Sequence, residues 1–415
     1  MHVIISTEGH LVRDGNGDVA SDDGMLGFDF FQRYLRVFSS VTVVGRVADQ
    51  VVPNAVSVEG PRVAVFPLCD YLGPGGYARV RRLLDSQIRD VCSRRAAYIL
   101  RVPGNIGEQM RRHLRRLGQP FAVEVVGDPY EVCKPGAMKH WLRPVWRWLL
   151  PYQMARQCRQ ATGAAYVTAD ALQRRYPPGP NAFASHYSSV SMPPEAFVDR
   201  PRQFLPGRRR YRIVTVGTLA VPYKAVAVLI RAVARLVLRQ GWQLQLNVVG
   251  DGKLRPELVS LAATCGVAEH VRFLGRLPAG AAIREQFDLA DLFVLASFTE
   301  GVPRAGIEAM GRALPCIGST VGGYPELLGS TELVEPGNAE ILADRIQELL
   351  SDPARMTRLS GENLARARCY HQDVLQQRRD SFFGNVRDVT ERRWRTGEHR
   401  RFPHEADRAH VGAQS

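Results

Sequence analysis

Short runs of β-branched and apolar residues alternate along most of this chain with longer stretches whose apolar positions recur every three to four residues. In the first half, HVIIS (2–6), VTVVGRV (41–47), RVAVFPL (62–68), AAYILRV (96–102), FAVEVVG (121–127) and AAYVTA (164–169) predict strands. FDFFQRYLRVF (28–38), YARVRRLLDSQIRDVCSRR (77–95) and QMRRHLRRL (109–117) predict helices. In the last of these Met110, Leu114 and Leu117 share one face, and arginines fill the other. Strands that are nearly continuous apolar runs, separated by amphipathic helices, predict parallel sheets covered on both faces.

The pattern breaks at SMPPEAFVDRPRQFLPGRRRYR (191–212), which is rich in proline and charge and has no sustained period, as a linker would be. The alternation then restarts. RIVTVG (212–217), LQLNVVG (244–250), VRFLG (271–275) and DLFVLAS (291–297) predict strands; KAVAVLIRAVARLVLRQG (224–241) and LRPELVSLAATCG (254–266) predict helices, each stopped by a glycine. The expected organisation is an N-terminal α/β domain over 1–195, a linker over 196–211 and a second α/β domain over 212–370. A helix over 371–386 is expected to cross back to the first domain. Residues 387–415, charged and poor in aliphatic side chains, are expected to be a mostly disordered basic tail. Ligands of such sheets bind outside the carboxyl ends of the strands, so the cleft between the halves is the expected site.

Composition narrows the classes. A chain of 415 residues with 45% hydrophobic and 23% charged residues is ordinary for a soluble globular protein. No apolar run approaches the roughly 18 residues of a membrane span. MHVIISTEGH lacks the basic and apolar regions of a signal peptide, so a cytoplasmic location is expected. Seven scattered cysteines without zinc spacing argue for a reducing compartment and no structural metal. The net charge of +14 admits polyanionic substrates or an anionic membrane surface. Nucleic acid is disfavoured, because no zinc finger, RNP-type aromatic motif or heptad-linked basic region is present.

The candidate chemistry lies in TEGVPRAGIEAM (299–310), directly after the strand DLFVLAS. Glu300 falls at the carboxyl end of that strand. Gly301 and Pro303 make a turn, and a helix is expected to start near Arg304. Glu308 then lies one turn into the helix, whose first N–H groups and positive dipole end suit a diphosphate. Gly306, without a side chain, permits close approach by a ligand. The two carboxylates are placed to accept hydroxyl donors on either side of that phosphate, Glu308 from a ribose and Glu300 from a sugar.

This stretch, extended through GGYPELL (322–328), resembles the signature of retaining glycosyltransferases of the GT-B fold, specifically the family 4 group. VGTLAVPYKAVAVLIRAV (216–233) resembles that family's phosphate loop and following helix, and VVGDGKLRPEL (248–258) and VRFLGRL (271–277) follow in the same order. The resemblance covers about 210 to 350 well and the N-terminal half only loosely. It implies two Rossmann-like parallel-sheet domains facing each other across a cleft. Lys224 would bind the donor diphosphate and offset charge on the leaving nucleotide. Glu308 would hold the ribose and Glu300 the donor sugar. The Gly301–Gly306 backbone, with Val302, Pro303 and Arg304, would lie against sugar and phosphates, and Arg276, or the backbone around it, near the base. Gly217 and Thr218 complete the loop. Many members carry Arg where Thr218 stands, so either Lys224 suffices as clamp or another basic residue reaches in.

The resemblance implies sugar transfer from a nucleotide sugar, UDP favoured and GDP allowed, to a hydroxyl of a glycan, glycolipid or small molecule. The anomeric configuration would be retained, with no cofactor and no metal. On the acceptor side Gly27 and Asp128 are the candidates, each also readable as a helix cap or turn former. KHWLRPVWRWLLPYQMARQCR (139–159) interleaves three of the five tryptophans with Lys and Arg, a composition that fits a core-facing aromatic stripe beside solvated arginines and also suits contact with an anionic membrane. A sugar phosphorylase or nucleotide-sugar epimerase of the same architecture is the alternative, and a non-catalytic basic binding protein the third reading.

Overall fold

The computed structural model describes residues 1–21, 26–52, 55–133, 143–190, 192–208 and 210–397. The first sheet contains β1 (His2–Ser6), β2 (Ser40–Val51), β3 (Val63–Cys69), β4 (Ala97–Val102), β5 (Ala122–Val125), β6 (Gly163–Tyr166) and β7 (Phe183–His186). These strands lie in the order β3-β2-β1-β4-β5-β6-β7, each pair parallel. The second sheet contains β8 (Arg210–Val216), β9 (Gln243–Val249), β10 (Val271–Gly275), β11 (Leu292–Leu295), β12 (Cys316–Ser319) and β13 (Leu333–Val334), in the order β10-β9-β8-β11-β12-β13, again parallel. In each sheet the order reverses beside the first strand, between β1 and β4 and between β8 and β11.

The helices follow from the periodicity. α1 (Gly73–Cys92), α2 (Asn105–Arg116) and α3 (Arg143–Gln160) cover the first sheet, with α4 (Ala171–Arg175) after β6. α5 (Val226–Gln240) buries Leu229, Ile230, Val233 and Leu236 and stops at Gly241, whose φ of 68° needs no Cβ penalty. α6 (Arg304–Gly311) starts at the residue that the motif indicated.

Three expectations need correction. Between β1 and the helix expected from Phe28, where the sequence predicts no element, lies a small hairpin, Leu11–Arg13 with Val19–Ser21, added to β2 and edged by Val56–Ser57. Its strands are too short to carry a readable alternation. On α2 the arginines do not all face water. Arg111 is buried, gripping Glu108 at 2.6 and 2.8 Å and donating to Gln160 of α3 at 2.6 Å. The segment expected as a tail from 387 is instead helical to Arg395, as part of α7 (Gln372–Arg395); residues 398–415 lie outside the described residues.

Helix α7 packs on the first half of the chain. Phe382, Phe383 and Val386 are buried with Tyr34 and Tyr187, and the Phe383 ring stacks on Tyr34 at 4.5 Å. Arg379 donates to the Ser188 carbonyl at 2.7 Å. Behind these rings both Tyr34 and Tyr187 donate to the buried Glu124 carboxylate at 2.7 Å. The linker is also anchored, because the Arg202 guanidinium donates to the carbonyls of Phe287, Ala290 and Arg312. No described helix is long and apolar enough to cross a membrane.

Phe383→Ala should cost about 3–5 kcal/mol of stability, the usual range for truncating a buried phenylalanine. Denaturant unfolding should show the loss, and trypsin should cut the arginines of α7 sooner than in the wild type.

Candidate active site

The reversal of strand order opens a crevice at the carboxyl ends of β8 and β11, and the loops that leave these two neighbours must diverge around it. Lys224 is on the first loop and Glu300 on the second. Their side chains meet, Lys224 Nζ to Glu300 Oε1 at 2.6 Å, and both are largely buried. Ser297 Oγ donates to the same oxygen at 2.7 Å. Gly217, at the end of β8, makes room for the lysine stem: a Cβ there would lie 3.1 Å from Lys224 Cγ and Cδ. Thr218 is exposed and its Oγ1 accepts the Ala220 N–H at 3.1 Å, a local turn.

The loop at Glu300 is shaped from behind by the glycine pair of GGYPELL. Gly322 has φ of 59°, and a Cβ on it would stand 2.0 Å from the Glu300 carbonyl oxygen, so no other residue fits. Gly323 N–H donates to the Gly301 carbonyl at 2.7 Å. Val302 and the buried Pro303 lead into α6, where Pro303 takes the N-cap position without a side-chain cap and Arg304 is exposed. The helix therefore leaves its first N–H groups without a side-chain acceptor. Gly306 faces inward. A Cβ on it would lie 3.4 Å from the Tyr324 ring, an ordinary contact distance.

Glu308 lines a recess of about 360 Å³ with Arg284, Ile283, Gly280, Ala279 and Pro193. Burial pushes the Glu308 carboxyl above the ordinary carboxylate range, against the opposing pull of Arg304 and Arg284. Arg276 is exposed just after β10 and is not among the residues lining this recess.

The first sheet repeats the arrangement at its own reversal point. Glu8, after β1, accepts the Ile106 N–H at the start of α2 at 2.5 Å and approaches Arg46 at 3.9 Å. Gly104 must lack a side chain here, since a Cβ would lie 2.0 Å from Glu8 Cγ. Arg46 in turn donates to the Tyr71 carbonyl at 3.1 Å, and Asn105 donates to the Tyr71 hydroxyl at 2.8 Å. The two acceptor-side candidates are placed otherwise. Asp128 caps a helical turn through the Tyr130 N–H at 2.9 Å, accepts from Tyr176 Oη at 2.6 Å and is paired with Arg175. Gly27 precedes the Phe28–Phe31 turn with Val56 against its Cα.

The halves touch beside the candidate site. A Cβ on Gly301 would be 3.4 Å from the Val126 carbonyl at the end of β5. Glu326 of GGYPELL accepts the N–H groups of Ala169, Asp170 and Ala171, which lead into α4, at 2.6, 3.1 and 2.6 Å. The sequence marked Glu326 only as part of a motif; its partners lie some 155 residues upstream, and no local pattern points to them. Among the described residues no group of three His, Cys, Asp or Glu side chains is placed to hold a metal ion.

Residues 210–352 match the family described as glycosyl transferases group 1. Protein CapJ of Staphylococcus aureus is 22% identical over 374 residues, 88% of each chain. D-inositol 3-phosphate glycosyltransferase of Rhodococcus opacus (strain B4) is 34% identical over 162 residues, so the match spans only 37% of this chain and 36% of that one. Among solved structures, sucrose-phosphate synthase from Thermosynechococcus elongatus superposes with a TM-score of 0.70 at 16% identity, over 94% of this chain and 100% of that one. Anabaena Alr3699/HepE in complex with UDP and glucose gives 0.60 at 15% identity, over 94% and 99%. Two parallel sheets with the crevice at their reversal points, matched in this way, define a glycosyltransferase enzyme of the GT-B fold. Within that class, residues 210–352 are the part of the chain that carries the match to the group 1 glycosyltransferases.

Because its carboxyl titrates high, Glu308 in the native protein keeps its proton at pH values where the unfolded chain has released it. Its contribution to stability therefore falls as pH rises from the unfolded carboxylate value through the raised native one. Glu308→Gln should accordingly melt above the wild type at pH 8, with the two Tm values converging in acid; a lower Tm for the variant at pH 8 would contradict this.

Proposed function

We propose that the protein is a retaining, family 4 type glycosyltransferase that moves a sugar from a nucleotide-diphosphate sugar, UDP favoured and GDP allowed, to an acceptor hydroxyl. The observation that carries this reading is the contact between Lys224 and Glu300 at the reversal point of the second sheet. A cation paired with a carboxylate is held ready for exchange: a diphosphate entering the crevice takes Lys224, and Glu300 is freed to accept hydroxyls of the sugar.

In the transfer, the acceptor oxygen forms a bond to the anomeric carbon as the bond from that carbon to the diphosphate oxygen breaks. The acceptor proton leaves with the departing phosphate on the same face. Negative charge grows on the diphosphate, where Lys224 and the uncapped N-terminus of α6 oppose it. Glu300 positions the sugar and is not assigned as a nucleophile. The recess at Glu308 suits the nucleoside, with the carboxylate accepting from the ribose hydroxyls. Departure of Lys224 to the diphosphate leaves Glu300 its bond from Ser297.

The preference for UDP is supported by the neighbour solved with UDP and glucose. The acceptor would sit on the first sheet near Glu8, Arg46 and Tyr71, where polar side chains gather opposite the donor crevice. The relative with 34% identity matches over little more than a third of each chain. That span fits a shared donor half and a divergent acceptor half. The acceptor class stays broad: a glycan, a glycolipid or a small hydroxylated molecule. No cofactor or metal is required by this scheme.

A melting screen with UDP, GDP, ADP and TDP tests the donor half. A nucleotide at a hundred times its Kd should add about 2.7 kcal/mol of stability. Wild type should respond to one diphosphate, and Glu308→Ala should lose that response; no response at millimolar concentration would sink the reading. Lys224→Ala should keep the fold and lower kcat by about 100-fold or more, the scale for losing one transition-state charge partner. Donor turnover that needs inorganic phosphate and no acceptor would instead favour a phosphorylase.

A further inference from the structure

Helix α3 has two apolar sides. Met154 and Cys158 are buried in the core beneath the first sheet. On the opposite side Val145, Trp148, Leu149 and Tyr152, spaced three, one and three residues apart, form one stripe, and they are 58%, 83%, 44% and 62% exposed. A surface helix ordinarily turns a polar face outward. This one turns tryptophan, tyrosine and two aliphatic side chains into water.

One turn further along the same stripe stands Arg156, its guanidinium 5.7 Å from the centre of the Tyr152 ring. Arg156 and four arginines of α2, Arg111, Arg112, Arg115 and Arg116, line a recess of about 310 Å³ with no carboxylate among the lining residues. Arg111 is committed to Glu108, whereas Arg115, Arg116 and Arg156 are exposed. An apolar aromatic stripe thus runs directly into a pocket of guanidinium groups.

We propose that this surface docks on an anionic lipid bilayer, with the α3 stripe entering the boundary between headgroups and acyl chains and the arginine recess receiving lipid phosphates. Tryptophan and tyrosine suit that boundary, since their rings are apolar and their polar edges stay wet. Guanidinium forks match phosphate oxygens in pairs. The two features also sit in the order a bilayer needs, apolar stripe beside cationic rim, on one continuous face. The start of α3 lies toward the carboxyl edge of the first sheet, the edge that faces Lys224 and Glu300. The docked protein would therefore open its cleft near the membrane plane. Docking stands without sugar transfer and is read without it.

The test is co-sedimentation with phosphatidylcholine vesicles, with and without phosphatidylglycerol, at low and high salt. Wild type should pellet with the anionic vesicles, less so in high salt, and barely with the neutral ones. Arg115→Ala, Arg116→Ala and Arg156→Ala combined should lower partitioning on the order of 100-fold, about fivefold for each basic residue at the surface. Trp148→Ala with Tyr152→Ala should lower it as well. The vesicle-induced blue shift in fluorescence should be present in wild type and lost in Trp148→Phe. All these side chains are exposed, and matching melting curves would establish that the variants fold. Equal pelleting with neutral vesicles, or unchanged partitioning of the arginine variant, overturns the proposal. So does a soluble dimer that Trp148→Ala splits, which would assign the stripe to a second copy, or pelleting with RNA in preference to vesicles.

Discussion

Glu326 ties the two halves of the molecule together at the edge of the candidate site. One carboxylate from the second half accepts three consecutive backbone N–H groups of the first, at 2.6, 3.1 and 2.6 Å. Charge-assisted bonds of this kind are the strong ones, and here they satisfy donors that a short helix would otherwise leave open. Glu326 stands four residues beyond Gly322, and Gly322 is locked under the Glu300 carbonyl. The segment that shapes the Glu300 loop is thus also the one that grips the opposite domain. Any displacement of the halves must either break those three bonds or drag the loop with it. Closure and the geometry of the crevice are mechanically one variable.

The crevice follows from topology as much as from residue choice. In both sheets the strand order reverses beside the first strand, and in both a charged side chain just after that first strand meets the loop across the gap. In the second sheet the pair is Lys224 and Glu300. In the first sheet it is Glu8 and the backbone at Ile106. A parallel sheet with right-handed crossovers has few other places where loops diverge and leave room for a ligand. That two unrelated stretches of sequence place a charged side chain at the same topological position, Lys224 in one sheet and Glu8 in the other, reflects this constraint, while their partners differ: a carboxylate in one case, a helix start in the other.

Much of the fold was legible because several strands are buried on both faces and so read as apolar runs; β1 and β11 are of this kind. The start of α6 was legible from a proline and a glycine in the turn before it. What stayed hidden was hidden for physical reasons. The hairpin at 11–21 has strands of three residues, too short for any period. The last turns of α7 carry six arginines between 378 and 395 and few aliphatic side chains, so their helicity depends on packing by Phe382, Phe383 and Val386 rather than on a visible stripe. Arg111 was misplaced because a buried arginine requires a partner, and periodicity does not reveal that Glu108 and Gln160 converge on it.

Helix α7 has one more implication, for the order in which the molecule can be made. The core of the first domain includes Phe382, Phe383 and Val386, which leave the ribosome after the whole second domain. The second domain holds a core of its own within residues 211–359. During synthesis, then, the domain that begins first should finish last. Until α7 emerges, Tyr34 and Tyr187 lack their covering rings, and the nascent first domain waits with an open flank for a helix that is still being translated.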